Sequence, residues 1–231
     1  LFANQTLEWF GEDTQENFKQ HKLDMRLVES GWLNKTIEYK FNSLGYRTNE
    51  IDYAVPCICV FGCSVTMGSA MRSQDLYLSH IGNHLKLQTY NFGIGGGSDS
   101  TSVRLALTWL EKLNVKLAIY QQSFPERVEV ICNDVYPRIH GVNAMLGGDT
   151  FKDSGEFMRH WAINDVNGEL LAIKNKLAIE RLCDNLGVKL ITLHINEFFQ
   201  HTTDWARDLK HPGATAHKLI AEKRSEEHTS E

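Results

Sequence analysis

The sequence predicts an α/β protein built around a mainly parallel sheet that helices cover on both faces. Two observations predict it. From Ile51 onward, short apolar runs (AVPCICVFG, LQTYNFG, VKLAIYQQ and VKLITLH) alternate with segments of helical period, which is the rhythm of βαβ units around a sheet buried on both sides. The helical segments also carry recognisable start and stop residues.

Each element has its own justification. Residues 1–50, from LEWFGEDTQENF to YKFNSLGYRTNEID with a turn at Gly45, mix helical patterning with aromatic residues and are expected to form a helical lead-in packed on the domain. After the first strand, Asp75 is placed to cap a helix burying Leu78, Ile81 and Leu85. Ser98 or Ser100 is placed to cap a second helix burying Val103, Leu107, Leu110 and Leu113. In the third, Leu170, Ile173, Leu177, Ala178, Leu182 and Leu186 share a face, and Gly187 stands where a left-handed terminal residue belongs, directly before VKLITLH. The stretch from Glu126 to Asn167 is poorly periodic and rich in Gly and Asn; it reads as a long excursion able to cover a site at the carboxyl edge of the sheet. The last eight residues, RSEEHTSE (224–231), resemble an in-frame translation of a sequencing-library adapter and are set aside as a non-native tail on a gene fragment assembled from reads.

Composition narrows the function classes. At 231 residues and 42% hydrophobic content, the chain can bury one substantial core, and no shift in composition marks a second. The net charge of -5 comes from scattered charges, so no surface is built for phosphate backbones or anionic lipid, and nucleic acid is not an expected partner. The five cysteines are odd in number and mostly lie in apolar runs, which points to reduced, packed thiols and favours a reducing, cytoplasmic compartment. No apolar run approaches the roughly 20 residues that span a bilayer. The chain starts at Leu1 without methionine, which leaves a removed signal peptide open.

Three stretches carry candidate chemistry. VFGCSVTMG leaves the first strand through Gly62-Cys63-Ser64. Ligands of parallel sheets bind beyond the carboxyl ends of strands, so Ser64 is either a nucleophile or a helix cap. NFGIGGGS follows the second strand; its GxGxxG spacing is not clean, so no dinucleotide cofactor is expected, and its glycines suit close backbone approach to a substrate oxygen. In WARDLKHPG, Asp208 and His211 stand three apart before Pro212. The carboxylate could orient the imidazole toward a distant serine, or simply cap the following helix.

GCSVTMG, NFGIGG and DLKHPG, in this order, resemble the first, second and last blocks of the SGNH (GDSL-type) hydrolase family over about residues 51–223. The resemblance implies a three-layer α/β/α sandwich with a flavodoxin-like sheet, and ester hydrolysis through a triad. Ser64 would be the nucleophile, His211 the base and then the acid, and Asp208 the orienting carboxylate, with the backbone N–H groups of Ser64 and Gly96 as oxyanion donors. Cys63 stands where the family usually has Asp. The family's third-block Asn is replaced by YQQSFPER (120–127), in which Gln122 could supply the amide donor and Gln121 or Ser123 could equally be the aligned position. NSLGYR (42–47) resembles a segment ahead of some members, phage-encoded ones included.

Other residues have plainer readings. Cys57, Cys59 and Cys63 pack in or beside a strand with no zinc-spaced partner pair, so no metal is expected. His194 and His201 read as polar edge residues, Glu126 and Arg127 as an ion pair holding the third loop, and Trp161, Phe198 and Phe199 as aromatic core. The expected function is hydrolysis of a small-molecule or carbohydrate ester, such as an O-acetyl or short acyl group. The alternative is a catalytically weak or inactive carbohydrate-binding or virion-associated module with the same fold.

Overall fold

The computed structural model describes residues 2–131, 137–140 and 165–229. Trp161, Cys132 and most of the excursion between Glu126 and Asn167 lie outside them. The chain opens with strand β1 (Thr6–Leu7), helices α1 (Gln15–His21) and α2 (Met25–Glu29), and strand β2 (Tyr39–Lys40), which pairs antiparallel with β1. Residues 2–50 therefore combine short helices with a two-stranded ribbon. Leu27, Trp32, Ile37, Tyr39 and Phe41 are buried in the core they share with the sheet.

Strand β3 (Cys57–Phe61) leads into the single-turn α3 (Ser64–Met67), then α4 (Tyr77–Leu85), β4 (Gln88–Asn91), α5 (Asp99–Trp109) and β5 (Val115–Gln122). A two-stranded ribbon, β6 (Val128–Ile131) with β7 (Pro137–His140), precedes α6 (Asp165–Leu186), β8 (Lys189–His194), α7 (Ile195–Gln200) and α8 (Ala214–Thr229). The central sheet has the order β4-β3-β5-β8 and is parallel throughout, with Ile58 opposite Thr89 on one side and Leu117 on the other. In order of appearance its strands run second, first, third, fourth, the flavodoxin-like arrangement, and β3 sits at the point where the order reverses.

The pleat sorts β3 into two cores. Ile58 and Val60 face a layer with α4 and α8, whereas Cys57, Cys59 and Phe61 face a layer with α5 and α6. All five residues are fully buried. A side chain of Val or Phe size contributes about 1.5–3 kcal/mol on burial, which explains a strand without polar alternation. The described cysteines Cys57, Cys59, Cys63 and Cys183 are free and buried.

Three helices differ from their sequence pattern, one at its cap and two in the face they bury. Asp75 does not cap α4: it lies in a 3-10 turn over Ser73–Asp75 and binds Arg72 at 2.6 Å, while Leu76 occupies the cap position without a side-chain bond. Ser98 caps α5 in a capping box with Thr101. Leu110 and Leu113 are buried as the pattern predicts, but Leu107 is 60% exposed, and Leu105, Ala106 and Trp109 complete the buried face. On α6 the buried residues include Ile179 and Cys183, while Leu170, Ile173 and Leu177 are exposed. The inward face of its first turns is made of small or polar groups: Gly168 lies against Pro125, and Asn175 Nδ2 donates to Ser100 Oγ at 3.2 Å.

Candidate active site

The exit from β3 is fixed by one buried side chain. Gln121, on the neighbouring β5, is fully buried, and its Oε1 accepts from the Cys63 backbone N–H at 3.1 Å, Cys63 Sγ at 3.2 Å and Thr66 Oγ1 at 3.1 Å. Gly62 is required by this packing, because a Cβ there would stand 2.3 Å from Thr66 Oγ1 and 2.7 Å from Gln121 Oε1. Cys63, in extended conformation, is the N-cap of α3, and Ser64 is its first residue. The glycine loop after β4 closes over the turn, with Ile94 N–H donating to Gly62 C=O at 3.0 Å. Gly96 within it holds φ +74°, the left-handed region glycine tolerates. Neither the Ser64 N–H nor the Gly96 N–H has an acceptor among the described residues.

The second group arrives on the loop before α8. Leu209 takes φ +57°, and the resulting tight turn aims two backbone N–H groups, from Lys210 at 3.0 Å and His211 at 3.1 Å, at Asp208 Oδ1. The other carboxylate oxygen, Oδ2, lies 2.5 Å from His211 Nδ1, and His211 Nε2 lies 2.8 Å from Ser64 Oγ. A carboxylate only accepts, so Nδ1 carries the imidazole proton, and Nε2 is left to accept from the Ser64 hydroxyl. Burial alone pushes the Asp208 carboxyl pKa up, but the hydrogen bond and charge of His211 and the two backbone N–H groups outweigh it, and the pKa is lowered. Asp208 does not cap α8; Asp204 accepts from the Thr215 N–H at 3.1 Å instead.

Ser64, Gly96 and His211 line a cavity of about 540 Å³. Its apolar walls include Val65, Phe124 and Phe199, and Glu12, Arg127 and Lys210 add charge. Gln122 is not among the lining residues, and Gln121 lies beneath the turn, so neither amide faces the cavity. Ser123 is occupied with its neighbours: its Oγ donates to Gly97 C=O at 2.8 Å and its N–H to Asp99 Oδ1 at 2.7 Å. Arg127 donates to Ser123 Oγ at 3.1 Å and lies over the Phe124 ring. His194 caps α7 by accepting from the Asn196 N–H, and Phe198 packs against Tyr77 and His217. Phe10, Gly11 and Glu12 also line the cavity, although no local pattern in the first fifty residues marks them as part of a site. No group of three His, Cys, Asp or Glu among the described residues is placed to hold a metal ion. No helix among them is long and apolar enough to cross a membrane.

No family model matches the chain, and no curated protein does. Among solved structures, the chain is similar to a member of the lipolytic protein G-D-S-L family from Veillonella parvula, with 16% identity over 75% of this chain and 98% of that one, at TM-score 0.38. It is also similar to a psychrotrophic esterase from Pseudoalteromonas sp., with 11% identity over 75% and 97% of the two chains, at TM-score 0.40. An acetyl xylan esterase from the rumen bacterium Butyrivibrio proteoclasticus matches at 13% identity over 79% and 66%, at TM-score 0.42.

Proposed function

We propose that the protein is a serine esterase that hydrolyses a carboxylic ester through an acyl-enzyme on Ser64. The observation that carries the reading is the continuous relay from Ser64 Oγ to His211 Nε2 at 2.8 Å, and from Nδ1 to Asp208 at 2.5 Å, opening into a cavity of about 540 Å³. In the first half-reaction the Ser64 oxygen attacks the ester carbonyl while His211 Nε2 takes the hydroxyl proton. The Ser64 and Gly96 N–H groups, which take no acceptor among the described residues and belong to residues lining the cavity, would donate to the resulting oxyanion. Collapse expels the alcohol, which leaves with the proton held on Nε2. Water then attacks the acyl carbon, again giving its proton to Nε2, and Ser64 recovers its hydrogen as the acid departs. Asp208 stays ionised and holds the imidazolium in place.

The cavity volume suits a short acyl group on a small alcohol or a sugar, and its mixed walls suit a leaving group with hydroxyls. With Gln122 outside the cavity, the oxyanion has two backbone donors and no side-chain amide. One donor is typically worth about 2.7–4 kcal/mol, so turnover is expected to be slow for an enzyme of this kind. The test is labelling by a fluorophosphonate probe. We expect the full chain to label and Ser64→Ala to stay unlabelled with an unchanged far-UV spectrum. A folded wild-type chain that takes no label and hydrolyses no short-chain ester would sink the reading.

A further inference from the structure

The residues that contact one another around the two site loops form a closed ring, and two of its four members come from the first forty residues. The Ala70 N–H, just beyond α3, donates to Tyr39 OH at 2.7 Å. That hydroxyl donates to Asp13 Oδ2 at 2.6 Å. Asp13 accepts both prongs of the Arg207 guanidinium, at 2.9 Å on Oδ1 and 2.7 Å on Oδ2. Arg207 is the residue before Asp208, and its own backbone N–H donates to the Ala70 C=O at 3.0 Å. The ring thus joins the loop that follows Ser64 to the loop that carries Asp208 and His211.

Its surroundings make it stiff. Asp13, Tyr39, Ala70 and Arg207 are all buried, so their hydrogen bonds do not compete with water, and each polarises the next. Ala70 holds φ +57°, a left-handed conformation that an L-residue keeps only when its surroundings enforce it. Both of its backbone polar groups are taken by the ring. The Arg207 guanidinium also donates to the Glu8 C=O at 2.8 Å and lies 3.8 Å from the centre of the Trp9 ring. A second tie runs in parallel, from Trp32 Nε1 to the Trp205 C=O at 2.8 Å. The relay between Ser64 and His211 tolerates little displacement, and an ångström of misplacement is costly to rate.

We infer that Asp13, Tyr39 and Arg207 are positioning residues that set the distance between the nucleophile loop and the acid-base loop, so that the N-terminal segment is a working part of the site. The inference rests on the esterase reading for its kinetic consequence, but the geometry of His211 reports on it independently. The decisive variant is Tyr39→Phe, which removes only the hydroxyl that links Ala70 to Asp13. Asp13→Asn is the stronger lesion, and Ile179→Val, in the core on the other face of the sheet, is the control for general loss of stability.

The measurements are kcat and KM for 4-nitrophenyl acetate, the low-field proton resonance of His211 Nδ1, and urea denaturation, all on the full chain. Tyr39→Phe is expected to lower kcat roughly tenfold, the equivalent of one ordinary hydrogen bond, with KM within about twofold. It should also shift or broaden the His211 resonance, while Ile179→Val destabilises the fold and leaves kcat and the resonance unchanged. Wild-type kcat and a wild-type His211 resonance in folded Tyr39→Phe would overturn the inference, whether or not Asp13→Asn folds. If the wild-type chain hydrolyses no ester, the esterase reading fails on its own, and the resonance alone decides whether the ring holds His211.

Discussion

Two loops meet at the site, and they differ in how much of their support comes from the sheet. The Ser64 loop starts from its neighbours in the sheet: Gln121 on the adjacent strand collects three donors from Cys63 and Thr66, and the glycine loop of the next strand closes over it. The loop of Asp208 and His211 has a local turn around Asp208 but owes its placement to residues 194 and 173 positions away, through Asp13–Arg207 and Trp32–Trp205. Sheet register thus places Ser64 at the strand end, and the N-terminal segment ties down the rest of its loop, where Tyr39 accepts from the Ala70 N–H at 2.7 Å and Arg47 donates to the Met67 C=O at 3.2 Å and the Met71 C=O at 2.8 Å. The His211 loop lies outside the sheet and depends on such contacts throughout.

On the esterase reading, the largest expected effect falls within the Asp208 turn that holds His211. Asp208→Asn should lower kcat/KM about ten-thousand-fold, because an amide cannot hold the imidazole in the required tautomer with charge support. Steady-state kinetics with a short-chain ester measures it, and a loss below about tenfold would mean that His211 does not depend on Asp208.

The next effects separate the loops by stability. Arg207→Met leaves Asp13 buried without its cation and should cost about 3–5 kcal/mol in urea denaturation. Gln121→Leu strips the acceptor from the Cys63 N–H, while the Thr66 hydroxyl keeps Tyr77 OH at 2.9 Å, and should cost about 1–3 kcal/mol for the group left unpaired. Equal and small losses at both positions would erase the distinction between long-range and local support.

That distinction also explains what could be read from the sequence. The central strands β3 and β5 were legible because burial on both faces leaves an apolar signature, as in CICVF, whereas the edge strands β4 and β8 are only partly buried and were legible from their place in the alternation of strand and helix. The cap of α5 was legible as Ser98 or Ser100 because its signal is local, and the fold selects Ser98. The inward face of α6 was not, since its first turns turn Gly168 and Asn175 toward their neighbours and leave the apolar Leu170, Ile173 and Leu177 outside; periodicity reports a stripe but not what it faces. At the site, Ser64, Asp208 and His211 stand in recognisable short motifs. The residues that join their loops, Asp13, Tyr39 and Arg207, have no local signal at all, because a buried ion pair between distant positions is invisible until the chain is folded.

A pH experiment sharpens the comparison on the acid-base side. His217 on α8 is fully buried against Tyr77 and Phe198, its Nδ1 accepts from the Tyr77 N–H at 3.3 Å, and burial holds its pKa down to about 3. Its folded pKa lies below the unfolded value of about 6.5, so between these limits the unfolded chain binds the extra proton. Stability is therefore complete above about pH 6.5 and declines as the pH falls toward 3. The lowered pKa of Asp208 acts in the same direction, with its contribution lost only at still more acid pH, through and below the ordinary carboxylate range. Replacing His217 with Gln should flatten the dependence of the urea midpoint between pH 4 and 6, within the window that His217 sets. An unchanged slope in that variant would place the titration elsewhere.

The smallest expected effect falls on the residue that stands in the third block. Gln122 ends β5, paired with His194, and does not line the cavity. If the oxyanion is served by the backbone alone, Gln122→Ala should leave kcat within about twofold, against the hundredfold or greater loss that follows removal of a true oxyanion donor. Arg127→Gln is the companion measurement, because that guanidinium does line the cavity and uses one donor on Ser123 Oγ. A loss confined to Arg127→Gln would mean that charge has taken the place of the amide. A large loss confined to Gln122→Ala would mean that the strand end turns inward when substrate binds, and that the nucleophile side is less rigidly set by the sheet than its hydrogen bonds imply.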